Sequence, residues 1–554
     1  MAAPVAPAPA PAAAPASGTG TTAAATEGEP AAPEKGAPIA VPPITPPPAD
    51  AVQRVRWLGE RIDQLLQVII GDRARVGVAV LDIDGGRLLY GRNDSTPFNI
   101  ASNVKLFTTA SALALLGPEY RFKTALYGER DRDRTEYKSL YLRGFGDPTL
   151  STEDLWRLTS ELSARGIKKV KGDIYIDDTF FDEQRVAPAF EQKNEDKGFR
   201  APQGAVSLNY NAIGVHVYPG PGEGQPARVI LDPQSPYFVV SNETRTVASG
   251  RTSLSVDSQE EKDAAPGHEH TLIRVRGTIK LGDTGQDFSK RVAHPDLYTA
   301  WTLFELLGRR GIQVGGKPSR GSAPQTAVLL DSHYSQPLGV LARDINKRSN
   351  NFMAEMVLKS LGADSSGRPG SWQKGLQAVS RYLESLGILP GKYQMQNGSG
   401  LYDSNRFTPA QVVTLLRAAY RDFRISADFV ASLALAGADG TIFHRMSGSI
   451  AERYIRAKTG TLNGVSCLSG YAGAPLSPGT AIRAPLAFSV LVNDHEDGAA
   501  AKRLQDTIME ALVAYQSVPA GLTAAPPPPS PGSPAGSAGQ PASLPTAVKQ
   551  VGGR

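Results

Sequence analysis

The segment Asn99–Ala110, NIASNVKLFTTA, places Ser102 three residues ahead of Lys105. On a helix, that spacing puts both side chains on one face. At a helix N-terminus, backbone N–H groups without intrahelical partners point outward and favour negative charge. A lysine held beside such a serine in a partly dry cleft has its neutral form favoured by desolvation, and can then accept the hydroxyl proton. A capping serine followed by a surface lysine is the other reading, and the tetrapeptide alone leaves both open. Ser371-Trp372-Gln373-Lys374 has the same spacing, so context must separate the two.

Upstream, Leu58, Ile62, Leu65, Leu66 and Ile69 recur on one helical face and Gly71 ends the run. Val76, Val78 and Val80 alternate in a strand, Asp84-Gly85-Gly86 is a turn, and RLLYGRN (87–93) returns as a second strand. Ser102 then opens a helix that ends at Gly117-Pro118. Ser151-Thr152-Glu153-Asp154 reads as a capping box for a helix carrying Leu155, Leu158 and Leu162. From about 173 to 292 short strands alternate with turns and polar loops. Helical periodicity resumes at Leu297–Leu307 and dominates to about 435. Three strands follow, YIRAKTGTL, GVSCLSGYA and LAFSVLVND, the first two joined by the hairpin signal Asn463-Gly464, and a helix at about 499–515 closes the fold. The spacing predicts one antiparallel sheet built from both ends of the chain, with 119–292 inserted between its halves.

The 554 residues suffice for two or three domains. Residues 1–50 and 517–554 are almost entirely Ala, Pro, Gly, Ser and Thr. They carry too little apolar surface to offset chain entropy and are expected to be disordered tails. A net charge of +5 without any Lys/Arg block argues against a nucleic-acid partner. The single cysteine, Cys467, excludes an internal disulfide and a cysteine-rich metal site. His268-Glu269-His270 lies in a polar stretch and reads as a solvated loop rather than a metal site. No apolar run approaches the roughly 20 residues that span a bilayer. The start, MAAPVAPAPAPAAAP, has neither a basic n-region nor a leucine-rich core, so it does not read as a signal peptide.

Two further segments give the first one its context. Ser349-Asn350-Asn351 precedes a helix with Phe352, Met356 and Val357, and by itself reads equally as an N-cap. Lys458-Thr459-Gly460 interrupts a strand; an exposed edge lysine is the bland reading, and a glycine that admits a substrate backbone is the functional one. The order Ser-x-x-Lys, Ser-x-Asn, Lys-Thr-Gly belongs to penicillin-binding proteins and related β-lactamases. With GFGDPTLS (144–151), AVSLNYN (205–211), NGSGLYDSNRFTP (397–409) and AGADGT (436–441), the chain resembles the class C, low-molecular-mass penicillin-binding proteins over about 53–516. These form the D-alanyl-D-alanine carboxypeptidase/endopeptidase family.

The resemblance implies an α/β (α+β) fold: a β-lactamase/transpeptidase-like domain, an antiparallel sheet flanked by helices, formed from 51–118 and 293–516 and interrupted by β-rich insertion 119–292. It implies a serine peptidase that cleaves peptidoglycan stem peptides and cross-links through an acyl-enzyme, is acylated by β-lactam antibiotics, and needs no cofactor or metal. Ser102 would be the nucleophile, Lys105 its general base, and Ser349 a proton relay to the leaving amine. Asn351 would bind the acyl-side amide, and Lys458 and Thr459 the substrate carboxylate. The N–H groups of Ser102 and Thr461 would form the oxyanion hole. The substrate places the protein in the periplasm; a homo-oligomer is left open. Rival readings are a serine β-lactamase and a cell-wall-binding module without catalysis. The chain departs from the family at Asn350 and Asn397, where aspartates are common. Ser371 falls outside the family order and is expected to cap the helix that follows it.

Overall fold

The computed structural model describes residues 40–133, 135–261, 269–475 and 484–518. Most of both expected tails, and His268, lie outside the described residues. The end of the first tail is a correction: Arg61 donates to Pro42 O at 2.5 Å, Trp57 Nε1 donates to Thr45 Oγ1 at 3.1 Å, and Val41 packs on the core. Proline-rich composition hides this, because the contacts use one backbone carbonyl, one hydroxyl and a single valine.

Helix α1 (Ala51–Leu65) starts where the Asp50 carboxylate accepts from Val52 N and Gln53 N. It runs on through a π-helical turn, Leu66–Ile70, and stops at Gly71, whose φ of 57° favours glycine. A six-stranded sheet follows, in the order Ala434–Leu435, Ile455–Leu462, Val465–Ala472, Leu486–Asn493, Arg75–Asp82, Leu88–Arg92. The described pairs are antiparallel, so both ends of the chain build one sheet. Alternation assigns its faces. Val76, Val78 and Val80 pack with α1 and the C-terminal helix, while Ala79 and Leu81 pack with the helices on the other side. In that second layer lies α2 (Val104–Leu116), buried on every side from Val104 to Leu113.

The inserted region has its own core. A mixed sheet includes Lys123–Arg130, Glu136–Gly144 and Ile174–Asp177, and it packs α3 (Thr152–Ala164), whose capping box of Ser151 and Asp154 is formed. Two three-stranded sheets follow within 212–291. The boundary expected at 293 is displaced. α4 (Pro295–Arg309) joins the same apolar cluster as α3, and strand Val328–Tyr334 pairs antiparallel with Lys123–Arg130. Helical periodicity shows that a segment buries one face, not which sheet receives it. The helices around α2 are α5 (Leu338–Lys347), α6 (Asn351–Ser366), α7 (Trp372–Ser385), α8 (Pro409–Arg421) and α9 (Ser426–Ser432); α10 (Gly498–Ser517) packs beside α1. No described helix is long and apolar enough to cross a membrane.

Ser371 takes the capping role. Its Oγ accepts from Lys374 N at 3.2 Å, at the start of α7, while Lys374 Nζ turns outward to Gly367 O and Pro369 O. Ser371→Ala should therefore lower stability by about 1 kcal/mol, read as a lower urea midpoint at unchanged slope.

Candidate active site

Ser102 sits in a 3₁₀ turn, Ala101–Asn103, that leads into α2. Ala101 holds φ at 45°, a strained value for a residue with a Cβ. Two glycines press on this turn. A Cβ on Gly400 would lie 2.0 Å from Ala101 O, and one on Gly460 would lie 2.6 Å from Ile100 O and 3.2 Å from Ser102 N. Gly460 thus admits the protein's own backbone rather than the substrate backbone expected from its motif. Behind the turn, the buried Asn103 amide donates to Lys458 O at 3.0 Å and Thr459 O at 3.2 Å, and accepts from Ser469 Oγ at 2.8 Å. Turn and strand are therefore held in register at the point where Ser102 faces Lys458-Thr459-Gly460.

Lys105 is fully buried one turn behind Ser102. Its Nζ donates to Ser102 Oγ at 3.1 Å, Asn351 Oδ1 at 2.7 Å and Ser399 O at 2.6 Å. Burial, then the charge of Lys458, push its pKa well below the ordinary lysine value, against the opposing charge of Glu355. The surface-lysine reading of the tetrapeptide is excluded by this burial.

The second motif divides its labour. Asn350 caps α6, its Oδ1 accepting from Met353 N at 3.0 Å. Ser349, held at a φ of 57°, accepts from Lys458 Nζ at 2.9 Å. Asn351, the first residue of α6, turns to Lys105. The start of α6 therefore joins the Ser102–Lys105 pair to the Ser349–Lys458 pair.

Lys458 is also fully buried, so the exposed edge reading fails. Its Nζ donates to Ser349 Oγ and to Thr459 O at 2.7 Å, and burial lowers its pKa to about 7. Thr459 is half-buried and donates to Thr441 Oγ1 at 2.8 Å; Thr461, just past Gly460, is exposed.

Several contributors give little or no signal in the sequence. Ser399 acts through its carbonyl, which a residue pattern cannot display. Glu355 is a carboxylate buried within a largely apolar helix, where a lone acid reads as a solvated face. Asn397, where the family often has Asp, uses both ends of its amide: Nδ2 donates to Pro188 O at 3.1 Å and Ser404 Oγ at 3.0 Å, and Oδ1 accepts from Gly400 N at 2.9 Å. Among the described residues no group of His, Cys, Asp and Glu is arranged to hold a metal. His270 departs from the solvated-loop reading, packing near Trp301 with Nδ1 2.9 Å from Tyr237 O.

A buried lysine on a serine hydroxyl, a second lysine on a second serine, and a three-layer fold with an insertion are the arrangement expected of an active-site-serine penicillin-recognising enzyme. The chain belongs to the D-Ala-D-Ala carboxypeptidase 3 (S13) family, which matches residues 58–515. It is 34% identical over 477 residues to the D-alanyl-D-alanine carboxypeptidase of Actinomadura sp. (strain R39), covering 83% of this chain and 85% of that one. It is 26% identical to the D-alanyl-D-alanine carboxypeptidase DacB of Haemophilus influenzae, covering 72% and 82%. The fold is similar to the crystal structure of penicillin binding protein 4 (dacB) from H. influenzae, with a TM-score of 0.70, 24% identity, and 81% and 99% of the two chains covered. That protein complexed with a novel β-lactam matches at a TM-score of 0.67. The resemblance to class C penicillin-binding proteins and the expected α/β fold class are thereby borne out, and the chain is a D-Ala-D-Ala carboxypeptidase by family.

Proposed function

We propose that Ser102 is the acylated nucleophile, with Lys105 as its proton acceptor. The observation that carries this reading is the buried Lys105 Nζ at 3.1 Å from Ser102 Oγ. Loss of the Ser102 proton to neutral Lys105 frees Oγ to attack the carbonyl of the penultimate D-Ala. The N–H groups of Ser102 and Thr461 receive the oxyanion. The proton taken by Lys105 returns by way of the Ser349 hydroxyl to the departing amine; in deacylation Lys105 takes a proton from water and returns it to Ser102 Oγ. Asn351, whose Oδ1 is taken by Lys105, offers its amide nitrogen to the acyl-side peptide. No step requires a metal or organic cofactor.

Lys458 and Thr459 read the α-carboxylate of the leaving residue. A terminal D-Ala carries one, and so does the D-centre of diaminopimelate in a cross-link. One site therefore serves carboxypeptidase and endopeptidase cleavage of peptidoglycan stem peptides. A β-lactam presents a carboxylate beside a strained amide and would acylate the same serine; the β-lactam complex of the Haemophilus relative supports this. The family's activity on wall peptides supports a periplasmic location. Two transpeptidase-like segments, 51–118 and the later part of the chain, would carry the site, with the insertion between them.

Penicillin adduct mapping by mass spectrometry should place the label on the peptide containing Ser102, lose it in Ser102→Ala and keep it in Ser371→Ala. Label on Ser371, or label surviving in Ser102→Ala, refutes the assignment. Removing the carboxylate's charge-assisted contact should cost about 1.5–3 kcal/mol, roughly 10- to 150-fold in kcat/KM. Amidating the leaving carboxylate should impose that loss on wild type and little on Lys458→Ala; equal cleavage of free and amidated substrates by wild type would contradict it. Lys458 must be protonated to bind the anion, and in the free enzyme its pKa is about 7. The alkaline limb of kcat/KM should therefore fall near 7, and that of kcat should lie higher, because bound carboxylate stabilises the cation. Fractionation of cells expressing the full-length gene should recover the protein in the periplasm; recovery in the cytoplasm would rule that location out.

A further inference from the structure

Glu355 lies four residues after Asn351 on α6 and is fully buried. Its Oε2 accepts from Trp372 Nε1 at 2.8 Å and Gly398 N at 3.0 Å, and its Oε1 accepts from Ser399 N at 2.8 Å. Ser399 is the residue whose carbonyl oxygen accepts from Lys105 Nζ at 2.6 Å. Glu355 thus anchors the peptide planes on the N-terminal side of Ser399, and the next plane, joined at the Ser399 Cα, carries the carbonyl that holds the amine. All three of these donors are uncharged, so none of them neutralises the carboxylate; a buried anion so placed acts on the charges nearest it.

We propose that Glu355 is a positioning residue for Lys105: it clamps the Gly398–Ser399 turn so that the Ser399 carbonyl holds the amine on Ser102, and its charge sets how readily that amine sheds its proton. The inference rests on Lys105 being the base for Ser102. The groups that face Lys105 are Ser102 on its own turn, Asn351 and Glu355 from α6, Ser399 O from the 397–400 turn, and Lys458 from its strand. Of these only Glu355 opposes burial and the charge of Lys458 in lowering the Lys105 pKa. Burial raises the carboxyl's own pKa, and the Ser399 hydroxyl, followed by the N–H donors, works against that. On the far side, Trp372 lies between Glu355 and Lys359, whose ammonium sits 4.2 Å from that ring and pairs with Asp182 at 2.7 Å. The carboxylate therefore limits how far burial and Lys458 drive Lys105 toward its neutral form, while Lys458 responds to burial alone.

The test is the pH dependence of Ser102 acylation by benzylpenicillin in the full chain. Glu355→Gln keeps the side-chain length and removes the charge, so the acid limb should move down by roughly one pH unit. Glu355→Asp keeps the charge but withdraws the clamp by a methylene, so acylation should slow by about tenfold or more with the limb unmoved. An unmoved limb in Glu355→Gln, or a wild-type rate in Glu355→Asp, overturns the proposal. Should the glutamine variant fail to fold, the aspartate variant decides alone. If wild type carries its adduct on another residue, it is the assignment of Ser102 and Lys105 that fails instead.

Discussion

The Lys105 amine, sealed from water, is where three separate parts of the chain meet: the turn of Ser102, the start of α6 at Asn351, and the 397–400 turn at Ser399. An ammonium there would carry a desolvation penalty of several kcal/mol. The amine avoids it by favouring its neutral form, which is also the form able to accept a proton. Stability and reactivity thus draw on the same burial. The same reasoning applies to Lys458, where burial brings the pKa to about 7. Placing the two near one another separates their tasks, because each charge disfavours the other.

Holding so small a geometry requires stiff surroundings. The Ser102 turn is pressed between two chain segments at glycines where no Cβ would fit, and Asn103 ties it to the adjoining strand. Strain at Ala101 and Ser349, both with left-handed φ, persists because packing on both sides leaves no alternative. Beneath, a sheet whose strands Val465–Ala472 and Leu486–Asn493 are buried throughout provides the rigid base.

Much of this architecture is legible in the amino-acid sequence. Alternation at Val76–Val80, the Asn463-Gly464 hairpin, the capping box at Ser151 and the three ordered motifs each express a local rule, and local rules survive folding. What stays hidden depends on partners far along the chain. The helix at 297–307 has the right period for either core, and only its fit to the inserted sheet decides. Whether Lys458 is buried or exposed depends on Ser349, 109 positions away. Gly460 reads as room for a ligand, yet the Ile100–Ser102 backbone fills that room. Glu355 gives no pattern, since its partners are backbone N–H groups, one indole and the Ser399 hydroxyl, all far along the chain.

Two lysines in one dry cleft are thus driven toward neutrality and differ in which proton they hold. Site-resolved NMR titration of the Lys105 and Lys458 Cε and Nζ resonances in the unliganded protein measures this directly. Lys458 should titrate near 7 and Lys105 well below the ordinary lysine range, with the Lys105 curve responding to the protonation of Lys458. Two independent titrations close to about 10.4, the value of a solvated lysine, would contradict it.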